Sequence, residues 1–246
     1  MLTQEPDASE ASKMPEAAGF KLIAETADFV VLDKAPGISF HSEDGAGLVV
    51  QAAAELGYAL YAVHRLDKVT SGLILFAKSS AAAAVLAELF ATQQIQKYYL
   101  ALSTGKVAKK QGWVKGDMAP ARRGAYKLLS SMQNPAISYF LSHGFNDATE
   151  LPARCRLYLI KPFTGKTHQI RVALKSVSAP ILGDELYQAG PSDRVYLHAY
   201  ALNFHYQGQL YQYRLAPTAG ELFQSPAVQQ QLQNEWAEPW SLQWPT

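Results

Sequence analysis

The stretch that decides the reading of this chain is His64-Arg65-Leu66-Asp67-Lys68-Val69-Thr70-Ser71-Gly72, followed by the apolar run Leu73-Ile74-Leu75-Phe76-Ala77. The run has the length and composition of a buried strand. Asp67 has two cations close by, Arg65 and Lys68, and small turn formers after it. A carboxylate kept ionised by nearby positive charge can serve as a nucleophile or a base. The plainer alternative is a turn leading into a strand, whose Asp67 and Thr70 side chains bond the local backbone. The stretch alone favours this plainer reading, so the decision rests on the rest of the chain.

Upstream, Leu48 to Leu56 reads as a short helix that Gly57 ends. Before it, Lys21–Ala24 and Phe29–Leu32 read as strands joined by a turn at Glu25–Asp28. Lys34-Ala35-Pro36-Gly37 then breaks the second strand, with Pro36 and Gly37 at the centre of a type II turn. His41–Gly45 reads as loop. Residues 1–18 are polar and acidic, without the charged-then-apolar order of a signal peptide, which predicts a disordered tail.

Downstream, Ser79 or Ser80 caps an alanine-rich helix through about Gln94, with Val85, Leu86, Leu89 and Phe90 as its apolar stripe. Lys97–Leu102 reads as a strand with Tyr98, Leu100 and Leu102 on one face and Tyr99 and Ala101 on the other. One tyrosine therefore belongs to the core and the other to a surface or cleft. Ala153–Ile160 is a further strand, which places Cys155 as a small core residue. Pro162–Lys166 reads as a turn, and Thr167 caps a helix from His168 to Lys175 on which His168 and Arg171 share a face. Pro180–Asp184 is a loop. Val195–Tyr206 and Gln209–Arg214 are late strands joined at Gly208, and a last helix runs from about Pro226 to Trp236.

Strands outnumber helices and the helices are scattered, which predicts an α+β fold: a single domain over residues 19–217 with a mixed, largely antiparallel central sheet flanked by helices and loops. Residues 218–246 form a helix and a tryptophan-containing tail, with Trp240 and Trp244 packed on that domain.

Composition narrows the function. The 246 residues fit one large domain or two small ones, and a 48% apolar fraction fills a substantial core. No run reaches the roughly 18 apolar residues of a membrane span. A lone cysteine rules out an internal disulfide and a cysteine-rich zinc site, and fits a reducing cytoplasm. The six histidines show no close metal-ligand pairing. Gly165-Lys166-Thr167 looks like the end of a phosphate-binding loop, but that motif needs a glycine at position 160, where this chain has Ile160. No serine sits in a nucleophile elbow, and no dinucleotide fingerprint is present. The net charge of +1 hides an uneven distribution. Between positions 97 and 127 stand Lys97, Lys106, Lys109, Lys110, Lys115, Arg122, Arg123 and Lys127, against Asp117 alone. Such a run is a candidate phosphate-contacting surface or, equally, a solvated loop.

His64–Leu73 closely resembles H-R-L-D-x-x-T-S-G-L, the signature of the RluA family of RNA pseudouridine synthases. Three further blocks resemble that family in its own order: Val31–Gly37; Lys97-Tyr98-Tyr99; and Gly165-Lys166-Thr167-His168-Gln169-Ile170-Arg171, continuing to Pro180–Asp184 and Tyr187. Leu197-His198-Ala199 resembles the family's late strand. The likeness covers about residues 20–217. Two departures stand out. The family's K-P-x-G reads Lys34-Ala35-Pro36-Gly37 here, and Lys166 stands where arginine is usual, which keeps the charge but loses bidentate phosphate contact. Residues 1–18 are too few to hold the small S4-type domain that many family members carry, so the single-domain form is expected.

The resemblance implies the pseudouridine synthase fold and isomerisation of uridine to pseudouridine, with no metal or other cofactor. It implies Asp67 as the catalytic carboxylate, Arg171 as its ion-pair partner and Tyr99 against the displaced uracil. His64 and Arg65 would sit beside a flipped-out nucleotide. Lys97, Lys109, Lys110, Lys115, Arg122, Arg123 and Lys166 would contact the RNA backbone. The implied partner is tRNA or 23S-type rRNA, as a stem-loop. Neither DNA nor a membrane is expected, and the protein would be a cytoplasmic monomer. Two other classes compete: an RNA-binding or ribosome-assembly factor on the same fold without the chemistry, and a glycosidase-like hydrolase. The hydrolase needs a second carboxylate, for which Glu55, Asp184 and Glu185 are the candidates.

Overall fold

The apolar run after Asp67 lies inside a ten-stranded sheet of the computed structural model, which describes residues 19–40, 46–145 and 148–245. The expectations for residues 1–18 and for the His41–Gly45 loop fall outside the described residues. In chain order come β1 (Phe20–Glu25), β2 (Phe29–Lys34), α1 (Leu48–Leu56), β3 (Tyr61–Ala62), β4 (Ser71–Ala77), α2 (Ser80–Ala91) and β5 (Gln96–Ser103). Then follow β6 (Gly112–Gly116), β7 (Met118–Pro120), β8 (Tyr126–Leu128), β9 (Ala136–Gly144) and β10 (Arg156–Pro162). The last elements are α3 (Gln169–Ser176), β11 (Leu197–Tyr206), β12 (Gln209–Arg214) and α4 (Pro226–Gln233). The sheet runs β1-β2-β4-β11-β5-β10-β9-β6, with β3 alongside β4, β12 alongside β11, and β7-β8 as a separate ribbon. Only the β4–β11 pair is parallel among the described strands. The architecture is α+β with a mixed, mostly antiparallel sheet.

Each residue of β4 is buried, because helices cover both of its faces. Ile74 and Phe76 pack with Leu48 and Ala52 of α1, while Leu73 and Leu75 pack with Ala82 and Leu86 of α2. That double cover is why the strand reads as a continuous apolar run rather than an alternating one. Each such fully buried large side chain contributes roughly 1.5–3 kcal/mol of transfer free energy. The parallel junction pairs His198 with Ser71 and Ala199 with Gly72. Gly72 has φ +103°, and a β-carbon there would collide with the Ala199 backbone, so the motif's glycine is a requirement of this close approach. Beyond Ala199 the strand β11 bulges, and from Ala201 onward β12 takes over the edge that β4 has left.

Several local expectations change. Val85 is 47% exposed, and α2 buries Ala82 and Leu86 instead. Helix α3 begins at Gln169, one residue later than the pattern suggests, and Thr167 does not cap it. His168 takes a left-handed conformation (φ 56°) at that start. The buried Gln169 side chain does the capping work: its Oε1 accepts from the Lys166 N–H and the Thr164 hydroxyl, and its Nε2 donates to Ile137 O and Ser138 Oγ. Cys155 is buried but stands just ahead of β10. The last helix stops at Gln233, short of Trp236. Trp236 joins the main core, and Trp240 and Trp244 pack against it half-buried.

Candidate active site

Asp67 sits in the loop between β3 and β4, and its carbonyl accepts from the Thr70 N–H at 3.0 Å. The next carbonyl, of Lys68, accepts from the Gly37 N–H at 2.8 Å and from Lys34 Nζ at 3.1 Å. Lys34 is fully buried and also donates to the Ala35 and Ile38 carbonyls at 3.0 Å. Burial, with Arg194 nearby, pushes its ammonium down to about 7. The three carbonyl oxygens oppose that shift by favouring the charged form. The block around Lys34 thus clasps the loop that carries Asp67.

A cavity of about 470 Å³ opens beside Asp67, walled by the 63–70 loop, the end of α2, the start of β5, the turn after β10 and the start of α3. Of the residues singled out from the sequence, His64, Arg65, Asp67, Lys97, Tyr99, Lys166 and Arg171 line it. Lys109, Lys110, Lys115, Arg122 and Arg123 do not. Lys109 and Lys110 are exposed just before β6, Lys115 is exposed on β6, and the two arginines form the exposed tip of the β7–β8 hairpin.

Arg171 is the buried hub. Its Nη1 lies 3.6 Å from Asp67 Oδ2, an ion pair without a hydrogen bond. Its Nε and Nη2 instead donate to Asp184 Oδ2 and Oδ1 at 2.7 and 2.8 Å. The expected partnership with Asp67 is therefore the looser of two, and the bidentate one belongs to Asp184, which is 1% exposed. Burial works against the guanidinium, but Asp184 first and Asp67 second more than offset it, so Arg171 is held above its usual value. The Tyr187 ring lies against it, 5.0 Å from Cζ. Asp184 is aimed by Gly183, whose φ of +80° and contact with the Arg194 backbone leave no room for a β-carbon. Tyr187 Oη accepts from the Tyr126 N–H at 3.0 Å, leaving its own hydrogen for His168 Nδ1 at 2.9 Å. Burial, then Arg171, lowers the His168 ring and keeps it the neutral acceptor that this bond needs.

Tyr99 pairs with Ala199 and Ile160 in the sheet and turns its ring to the cavity, while Tyr98 is buried on the opposite face. Burial, then the Asp67 charge, pushes the Tyr99 phenol above its usual value, so it is a proton donor at neutral pH. Burial lowers Lys97, which lies 5.8 Å from the centre of the Phe90 ring. His64, expected beside the flipped-out nucleotide, lines the cavity with one ring nitrogen already engaged. Its Nε2 accepts from the Leu75 N–H at 2.9 Å, taking the edge of β4 just past β3. Its ring stacks on Phe90 at 4.4 Å, and burial, then Lys97, lowers it to about 3. It offers the cavity a neutral flat wall. Lys166 is tied to Asn134 Oδ1 at 2.7 Å.

The chemistry on offer is one carboxylate in a cavity, a guanidinium against it and a protonated phenol beside it. The paired carboxylates of a hydrolase are not here: Glu55, Asp184 and Glu185 do not line the cavity, and Asp184 is committed to Arg171. Among the described residues no cluster of three His, Cys, Asp or Glu side chains could hold a metal ion. Asp184 and Tyr187 lie within the sequence blocks already noted, but spacing gives no sign of whom they bond.

Residues 28–176 match the family model described as RNA pseudouridylate synthase. A protein of Haemophilus influenzae described as an uncharacterized RNA pseudouridine synthase is 42% identical over 217 residues, 87% of this chain and 94% of the relative. The ribosomal large subunit pseudouridine synthase C of Rickettsia bellii is 32% identical over 68% of this chain and 56% of its own length. The structure of human RNA pseudouridylate synthase domain containing 1 superposes with a TM-score of 0.69 over 84% of this chain and 86% of its own, at 21% identity, and shares the fold. The chain belongs to the RNA pseudouridine synthase family, of the RluA type, and is an enzyme that isomerises uridine in RNA to pseudouridine.

Proposed function

We propose that Asp67 is the catalytic carboxylate of this reaction, acting on a flipped-out uridine of a stem-loop in tRNA or large-subunit rRNA, in the cytoplasm and as a monomer. The observation that carries it is the convergence of Asp67, Tyr99 and Arg171, far apart in sequence, on one cavity. The relative named as a large-subunit enzyme supports the ribosomal option. The N1–C1′ bond of the nucleotide breaks, the uracil turns, and C5 bonds to C1′. The C5 hydrogen is lost as a proton and N1 gains one, so atoms and charge balance. Asp67 either attacks the ribose or removes a proton from it. Arg171 holds the carboxylate in its ionised form, Tyr99 lies against the displaced base, and Arg65 stands at the cavity mouth beside the RNA backbone. Residues 19–217 are the catalytic unit, and the segment from 218 completes its core.

Pseudouridine mapping of total tRNA and rRNA, with and without the gene, tests this reading. Loss of one or a few sites, restored by the wild-type gene and not by Asp67→Ala, is the expected outcome. Full restoration by Asp67→Ala removes Asp67 from the chemistry. An unchanged map favours a silent RNA-binding protein.

A further inference from the structure

Phe163, on the rim of the cavity, begins a row of half-exposed rings and ammonium groups that none of the roles above uses. Its ring lies 5.0 Å from that of Trp113, which is 5.2 Å from Tyr139, which is 6.0 Å from Trp244. Lys115 Nζ sits 3.9 Å from the centre of Trp113, and Lys161 Nζ lies 5.4 and 5.7 Å from the centres of Phe163 and Trp244. The register pairs Lys161 with Tyr139 and Tyr139 with Trp113, so the three share one face of β10, β9 and β6. Ile160 pairs with Tyr99, which places Tyr99 and its cavity on the other face. Phe163, just past the end of β10, is where the two faces meet.

Aromatic rings at a sheet edge are often plain packing, and cation–π contacts alone explain nothing beyond stability. Two features separate this row from packing. The Trp113, Tyr139 and Phe163 rings stay partly exposed, Trp244 alone of the row being packed on the main core, and neither lysine has a carboxylate or hydrogen-bond partner among the described residues. Burial lowers Lys161, which has rings but no carboxylate beside it. Exposed ring faces alternating with unpaired cations match a chain that alternates flat bases with phosphates.

We propose that this row is a docking strip for the single-stranded RNA flanking the target uridine, with bases stacking on Phe163 and Trp113 and phosphates held by Lys115 and Lys161. The proposal rests on the reading of the chain as an RNA pseudouridine synthase and adds a substrate subsite to it. A base on Trp113 displaces the exposed Lys115 ammonium towards the adjoining phosphate. The strip leads strand away from the cavity, round the end of β10, to the C-terminal segment at Trp244.

The test measures binding of a labelled oligouridylate of about twelve nucleotides as a function of salt, by fluorescence anisotropy, on the full chain. Trp113→Ala is expected to weaken binding by about 5- to 150-fold, the usual worth of one stacked base. Lys115→Gln is expected to lower the slope of log affinity against log salt by about 0.7. Trp113→Phe keeps a ring and is expected to stay near wild-type affinity, which separates lost stacking from lost folding. Unchanged affinity and salt slope in Trp113→Ala and Lys115→Gln overturn the strip. So does a change of oligomeric state in sedimentation with RNA affinity intact, which would make the face a contact between copies. Normal pseudouridine formation with unchanged oligouridylate binding sinks the strip alone. Variant-sensitive binding by a wild-type protein that forms no pseudouridine sinks the synthase reading and leaves the strip.

Discussion

At Arg171 one buried guanidinium serves two carboxylates, and the division of labour is unequal. Asp184 takes both in-plane donors, while Asp67 is left 3.6 Å away with its lone pairs free for chemistry. A carboxylate locked in a bidentate pair would be a poor nucleophile, so on the proposed reading of Asp67 the Asp184 pair makes Asp184 a positioning residue that keeps Arg171 from closing on Asp67. Removing one partner of a buried pair costs about 3–5 kcal/mol. Asp184→Ala is therefore expected to lower unfolding stability by that order and to reduce kcat by more than it raises KM, as read in urea melts and steady-state kinetics. A wild-type kcat in a stable Asp184→Ala protein would contradict this role. That Asp67, Tyr99 and Arg171 would come together was legible in the sequence because each sits in a compact block with a distinctive pattern. The Asp184 pairing was not, since its 13-residue separation from Arg171 runs through a turn whose geometry depends on Gly183. The His64 bond was hidden for a similar reason: a histidine in a basic motif gives no sign that a strand N–H will claim its Nε2.

At the scale of elements, the β4–β11 junction carries a buried polar chain. Arg194 Nη2 donates to Ser71 Oγ at 2.7 Å, Ser71 donates to His198 Nδ1 at 2.8 Å, and His198 Nε2 donates to the Leu215 carbonyl at 2.9 Å. With both nitrogens committed and the ring 1% exposed, burial lowers His198 from 6.5 to about 3. Between those two values the unfolded chain binds a proton that the folded chain refuses, so stability rises with pH across the window and falls as pH drops below about 6.5. One such group gives a slope of about 1.4 kcal/mol per pH unit. His198→Gln is expected to be less stable than wild type at pH 7 but to lose less on going to pH 5, in urea midpoints taken at both values. Parallel loss in the two proteins would show that His198 titrates normally. All four helices and the strands β1, β2, β4, β5, β10, β11 and β12 were legible from period and punctuation, while β9 and the short β3 and β6–β8 were not placed. The start of α3 was not legible, because a glutamine side chain from inside the helix replaced the threonine cap.

At the scale of the molecule, the strand order is what makes the cavity, and strand order was the least legible feature. The sequence supported a mixed, largely antiparallel sheet but could not show that Ser71 and His198, 127 positions apart, meet in a parallel pair. That junction sets the Asp67 loop beside Tyr99, since Ala199 pairs with both Gly72 and Tyr99. The C-terminal segment adds to the same core through Trp236, and the Tyr200 hydroxyl donates to the Trp236 carbonyl at 2.9 Å. Among the described residues no helix is long and apolar enough to cross a membrane. On the proposed reading the whole assembly serves one step: the loop, the strand and the helix meet so that one carboxylate lets uracil move from N1 to C5. The most direct measurement uses purified protein and RNA labelled with tritium at uridine C5, taken from cells lacking the gene, and follows tritium release into water. Wild type is expected to release it with saturating kinetics, and Asp67→Asn, which keeps the size and removes the charge, to fall by several orders of magnitude while the protein stays folded in thermal melts. Tritium release by a folded Asp67→Asn protein at the wild-type rate would contradict the account.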